Sequence, residues 1–248
     1  MRRTWRRLAV AFRDLVSGAH YVAGTEPIDI PRLISPLRYD VLVRKGFFDL
    51  LESERHLYER DPDGFAAMAA GTSYRAWFEK VYCARFDRAL LHNERARRAA
   101  FRRRVGASAN LYFSFEKSGF LPKHKIVLRT GCEILPSDSG KPVSASIFVG
   151  DGCHRLALLL KQGCTRLEPE QYVVKVAARY APLDNTALLL EALALSASEY
   201  AAFISASFSS GRHERLDALL EDVAARNPRR LGELERVIAA DKLFLHAS

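Results

Sequence analysis

One stretch constrains the fold of this chain more than any other: Ile147-Phe148-Val149-Gly150-Asp151-Gly152-Cys153-His154-Arg155, running into Leu156-Ala157-Leu158-Leu159-Leu160. Ile147 to Val149 combines β-branched and aromatic residues, which suit a packed, pleated strand. Leu156 to Gln162 has helical texture, and Gly163 beyond it tolerates a left-handed C-terminal cap. Gly150 and Gly152 let the backbone reverse sharply and let a ligand approach it closely. A strand, a glycine turn and a helix start, in that order, expose backbone N–H groups and the positive end of the helix dipole. Both favour an anion. Asp151, Cys153, His154 and Arg155 stand at the same corner, so phosphate is the expected ligand. The competing reading is a plain structural turn, since Asp and Gly form turns and a buried thiol usually only packs.

The rest of the chain narrows the class of protein. Its 248 residues suffice for one large domain or two small ones. A hydrophobic content of 48% with 27% charged residues is ordinary for a soluble globular protein. No apolar run reaches the roughly 18 residues of a membrane span, and Arg13 and Asp14 interrupt any secretory signal. The formal charge of +9 favours anionic partners: nucleotides, phosphorylated substrates, nucleic acid or an acidic membrane surface. Cys83, Cys132, Cys153 and Cys164 are scattered, without zinc-ligand spacing or a disulfide framework, and read as reduced thiols of a cytoplasmic protein.

Along the chain, residues 1–22 read as a basic amphipathic helix. Trp5, Leu8, Phe12 and Leu15 recur at helical spacing between Arg2, Arg3, Arg6, Arg7 and Arg13. Such a helix either packs on the protein's own core or lies on the inner membrane face. Residues 23–105 read as mainly helical, after a connector broken by Pro27, Pro31 and Pro36. Asp61-Pro62-Asp63-Gly64 reads as a turn, and Trp77, Phe78, Val81, Tyr82 and Phe86 as a core stripe. Residues 106–182 change to an α/β pattern: a loop over Gly106–Asn110, a short helix from Leu111 to Lys117, and strands at 125–129, 133–135, 146–149 and 172–176. Residues 183–248 return to helices.

The segment from Leu111 to Val176 resembles the ParB/sulfiredoxin superfamily. The residues that carry the likeness are Lys117-Ser118-Gly119-Phe120, Lys125-Ile126-Val127-Leu128 and Val149-Gly150-Asp151-Gly152-Cys153-His154-Arg155 with the leucines after it. The resemblance implies an α+β fold: a small mixed-sheet core with helical additions at both ends. It also implies nucleotide phosphates on the Gly150–Arg155 loop, held by Gly150, Gly152, Cys153, His154 and Arg155. Within the superfamily, free serine kinases carry Asp-Gly-x-His-Arg, which Asp151 to Arg155 fits at every fixed position. Sulfiredoxins carry Gly-Cys-His-Arg, matched by Gly152 to Arg155, but usually have a second glycine where Asp151 stands. Partition-type ParB proteins carry Gly-Glu-Arg-Arg and match only at Arg155.

The implied activity is therefore an ATP-dependent kinase acting on a hydroxyl of a small molecule: an amino acid, a sugar or a glycan. Arg155 and His154 would grip phosphate oxygens. Asp151 would bind Mg²⁺, a hard cation that prefers oxygen ligands. Glu94 is the candidate base that orients the acceptor, with Glu116 and Glu133 as rivals. Two alternatives stand beside it: a ParB-like nucleotide-dependent DNA-binding protein, drawing on the basic run from His92 to Arg104, and a sulfinic acid reductase. In the reductase Cys153 would attack as a thiolate stabilised at the helix start; in the kinase it only fills space. A nucleotide-binding module without turnover is the blandest outcome.

Overall fold

The structure is a computed structural model that describes residues 20–130, 147–176, 184–190, 192–193 and 195–245. It is α+β. Four strands form a mixed sheet in the order β1-β6-β3-β4, from β1 (His20–Ala23), β3 (Ile126–Thr130), β4 (Ile147–Asp151) and β6 (Tyr172–Val176). β1 runs antiparallel to β6, β6 parallel to β3, and β3 antiparallel to β4. A two-stranded ribbon pairs β2 (Ile28–Asp29) with β5 (Arg166–Leu167). Most of the amphipathic helix expected over residues 1–22 lies outside the described residues, but His20–Ala23 is strand, so the sheet recruits chain from well before residue 106. The strand expected at 133–135 also lies outside them.

Helices cover the sheet. After α1 (Ile30–Ile34), the helix α2 (Asp40–Ser53) buries Val41, Phe47, Phe48 and Leu51. The short α3 (Arg55–Arg60) leads to α4 (Pro62–Ala69). Asp61-Pro62 is thus a helix start rather than a turn: the Asp61 carboxylate accepts the Gly64 N–H at 2.9 Å, and Pro62 at the first helical position needs no N–H of its own. α5 (Ser73–Trp77) runs into a π-helical stretch (Phe78–Cys83) and one more α turn (Ala84–Phe86).

The expected loop over Gly106–Asn110 does not form. One helix of 25 residues, α6 (Glu94–Ser118), runs straight through it. Gly106 costs a helix about 1 kcal/mol relative to alanine. The buried stripe Phe101, Val105, Ala109, Tyr112 and Phe115, spaced for one helical face, outweighs that penalty.

α7 (Cys153–Lys161) starts three residues earlier than its apolar pattern suggests, and its buried Leu156, Ala157 and Leu159 pack chiefly on α2. The chain ends in α8 (Asn185–Leu190), α9 (Ala197–Phe208), α10 (Leu216–Arg226) and α11 (Leu231–Leu245). A capping box between Ser196 and Glu199 opens α9, in sequence that reads only as polar-poor. The last helices pack on α1, on α2 and on the π-helical stretch, and residues 35–39 add hydrogen bonds and a ring contact. The Leu37 carbonyl accepts the Asn185 and Thr186 N–H groups, and Tyr39 meets Phe203 edge-on with centroids 5.0 Å apart. Among the described residues no helix is long and apolar enough to cross a membrane.

Candidate functional site

The predicted strand–turn–helix corner exists, and Gly152 is required there, while Gly150 lies close under Arg129. At Gly150 a Cβ would fall 2.8 Å from the Arg129 side chain. At Gly152, with φ +94°, it would sit 3.0 Å from Ile126 Cγ1 and 3.2 Å from its Cα, in a conformation that L residues rarely adopt. Gly152 is the N-cap of α7 and offers no side chain, so no side-chain oxygen caps the first-turn N–H groups. Gly152→Ala is expected to lose about 1–3 kcal/mol from positive-φ strain and the Ile126 contact. Urea denaturation checks this, and an unchanged midpoint would show that the turn tolerates a side chain.

The three residues that follow diverge. Successive helical residues are rotated by about 100°, so Cys153, His154 and Arg155 cannot all face one ligand. Cys153 turns inward, where its sulfur accepts an N–H from Arg38 at 2.7 Å. Burial pushes its thiol up despite the nearby Arg38, the opposite of the shift that would favour a reactive thiolate. The same Arg38 donates to the Val149 carbonyl at 2.6 Å and to Asp40 at 2.9 Å, which ties the end of β4 to α2. Asp40 is fully buried and also pairs with Arg44. Burial alone would raise its pKa. The charges and hydrogen bonds of Arg38 and Arg44 outweigh that and hold the carboxyl well below the usual range.

His154 turns into an aromatic box. Its Nε2 lies 3.0 Å from the Tyr74 hydroxyl, which in turn meets Ser108 Oγ at 2.8 Å. Trp77 and Phe48 stand edge-on to the imidazole at 5.4 and 6.2 Å. Desolvation first, then the positive charges of Arg44, Arg104 and Arg155, hold its pKa well below the ordinary histidine value. The ring is neutral near pH 7. It therefore does not supply the cationic grip on phosphate expected from the motif, although one edge remains partly accessible.

Two side chains reach outward from the corner, and of the Gly150–Arg155 loop only Arg155 lines the cavity beside it. Arg155 donates to the His124 carbonyl and, at 3.0 Å, to that of Lys125, and it lines a cavity of about 450 Å³ with Phe115, Phe120, Ser114 and His124. Asp151 is exposed, and one carboxylate oxygen accepts the Gly152 N–H at 2.7 Å. No cluster of three or more His, Cys, Asp or Glu suited to a metal occurs among the described residues. A single carboxylate can still fit Mg²⁺, which takes most of its ligands from water and substrate phosphates.

Family models, curated proteins and solved structures offer no match to this chain.

Glu94 does not reach the site. It opens α6 and pairs with Arg98 on an exposed face. Ser108, the α6 residue linked to His154 through Tyr74, is fourteen positions further on, about 20 Å at 1.5 Å per residue. Glu116 is engaged with Arg55 at 3.0 Å on the surface, and Glu133 lies outside the described residues. Much of the basic run is also tied to acids: Arg97 to Glu79 at 2.9 Å, Arg98 to Glu94, and Arg102 to Asp63 at 3.5 Å.

Arg38, Asp40, Arg44, Tyr74 and Ser108 escape a motif search, though together they position the corner. A faint signal exists for two of them: Asp40 and Arg44 stand at i,i+4 on the same buried helix face as Phe47 and Leu51, where an ion pair is out of place in an apolar stripe.

Proposed function

We propose that this protein is a nucleotide-dependent phosphotransferase of the ParB/sulfiredoxin type, acting on a hydroxyl of a small molecule. One observation carries the reading: the N-terminus of α7 is entered through glycine, has no side-chain cap, and carries Arg155 on the wall of a cavity of about 450 Å³. Phosphoryl transfer depends on positioning and charge neutralisation more than on covalent chemistry. Here the first-turn N–H groups and Arg155 would hold the phosphates. Phe115 and Phe120 give the cavity aromatic walls of the kind on which a base stacks. Asp151 would hold the Mg²⁺ that accompanies a nucleoside triphosphate, and that ion would supply further neutralising charge. Cys153 and His154 support the corner from inside.

The test is calorimetric titration with ATP, CTP and GTP in the presence of Mg²⁺, followed by a screen of hydroxylated metabolites for release of nucleoside diphosphate. Saturable binding is expected, weakened at least about ten-fold by Arg155→Ala, the loss of one charge-assisted contact. Cys153→Ser is expected to retain activity, since the sulfur only accepts a hydrogen bond. Absence of saturable binding for every triphosphate ends the proposal. A second reading, binding without turnover, is favoured by the displacement of Glu94 from the corner. Binding with no release for any acceptor would establish it in place of the first.

A further inference from the structure

Two cavities adjoin beside α9 and the loop that follows it. The larger, about 600 Å³, has apolar walls from Ile34, Leu42, Leu160, Phe203 and Ala206. That volume falls within the range of small-molecule sites. The smaller, about 210 Å³, is polar: Arg32, Arg226 and Arg230 line it with Asp222, while Asp29 and Glu199 add two carboxylates to the lining of the larger. Arg32, Ser209 and Ser210 line both, so they form one compound pocket with an apolar body and a cationic end. None of its lining residues is shared with the cavity at Arg155.

The Asp222 charge is already engaged. One oxygen accepts the Ser209 hydroxyl at 2.5 Å and faces His213 Nε2 at 3.2 Å, while the other meets Arg226 at 2.7 Å. Arg230 is held in place by Glu233 at 3.0 Å and by the Ser207 carbonyl at 2.6 Å, stacked over Phe208. Arg32 meets Asp29 at a loose 3.4 Å. The grouping of Ser209, His213 and Asp222 looks like a hydrolytic triad but lacks its wiring. Serine and aspartate meet the same imidazole nitrogen, and the serine hydroxyl donates to the carboxylate, so histidine does not bridge them as a base must. Ser209 instead accepts the Gly211 N–H at 3.0 Å and fixes the loop that walls the pocket.

We propose that this compound pocket binds a small amphipathic oxyanion. A compact apolar body fills the larger chamber, and a phosphate or carboxylate head lies among Arg32, Arg226 and Arg230. Guanidinium groups match such heads in charge and in hydrogen-bond geometry.

The test titrates the whole protein, by calorimetry, with hexyl phosphate, hexanoate, hexanol and inorganic phosphate. Saturable binding of hexyl phosphate, of hexanoate or of both is expected, and the stronger of the two identifies the head. Hexanol and inorganic phosphate are expected to bind at least about ten-fold more weakly than the better anion, the cost of one good charged contact. In the Arg32→Ala/Arg226→Ala variant the anion should also weaken at least about ten-fold with no change in unfolding midpoint, because these side chains are 59% and 73% exposed. ATP binding should be unchanged in that variant, which separates this site from the α7 corner. Hexanol binding as tightly as the anions, an unaffected variant, or no saturable probe would each overturn the proposal.

Discussion

Asp40→Ala is expected to destabilise the fold by about 3–5 kcal/mol at pH 7, because it leaves two buried guanidinium groups without their shared carboxylate. Arg38 and Arg44 are 7% and 5% exposed, so water cannot take over that role. The damage should also reach the corner, since Arg38 holds both the Val149 carbonyl and the Cys153 sulfur. Urea unfolding of wild type and variant measures the loss. A difference below about 1 kcal/mol would mean that the ion cluster is not structural. The triple variant Arg38→Met/Asp40→Leu/Arg44→Met should recover much of the loss, because removing all the buried charges removes their desolvation cost.

The pH dependence follows from the same groups. Asp40 has a depressed pKa in the folded protein. It therefore contributes stability that is present above the unfolded carboxyl value, about 4, and is lost as pH falls through the folded value. His154 is also depressed, below its ordinary value of about 6.5. Below that pH the unfolded chain takes up a proton that the folded chain refuses, so stability declines as pH falls from there. Two segments are expected in a plot of unfolding free energy against pH: a gentle decline beginning near 6.5 and a steeper one below about 4. Asp40→Asn should flatten the second and leave the first. If the second segment is unchanged in that variant, another carboxylate governs acid stability.

For the proposed phosphotransfer, Asp151→Asn is expected to cut turnover on the order of 10²-fold or more while leaving the fold intact. The side chain is exposed, and its hydrogen bond to the Gly152 N–H needs only an oxygen acceptor, which asparagine retains. What asparagine lacks is the negative charge that a Mg²⁺-bound nucleotide requires. Nucleotide turnover and thermal unfolding, measured on the same preparation, check both halves. Full turnover in the variant would remove Asp151 from the chemistry. A large drop in melting temperature would mean that the carboxylate is part of the turn's structure instead.

Much of the framework was legible in advance because it rests on local chemistry. The strand at Tyr172–Val176, the strand through Ile147–Val149, which the structure carries on to Asp151, and the glycine turn before a helix each depend on residues within a few positions of one another. Local signals misled where one pattern serves two structures. Asp61-Pro62 is both a turn signal and a helix-start signal, and burial of Phe65, Ala66 and Ala69 resolves it as a helix. Gly106-Ala107-Ser108-Ala109-Asn110 has the composition of a loop, but the stripe that packs Phe101 on Tyr74 of α5 and Tyr112 on Phe48 of α2 makes it the middle of α6.

Sequence by itself determined the α+β class and the strand–glycine turn–helix corner at Gly150–Arg155, since a strand, two glycines and an apolar helix leave the backbone few alternatives. Only the tertiary structure decided which of the four chemically distinctive side chains there face outward. The 100° step of a helix splits Cys153, His154 and Arg155 onto three surroundings. What each one meets comes from α2, α5 and the end of α6, up to 115 residues away in the chain. Spacing along the sequence records the step but not the neighbours. Desolvation and partner charge, the two effects that set whether a thiol or an imidazole is reactive, are properties of the neighbours.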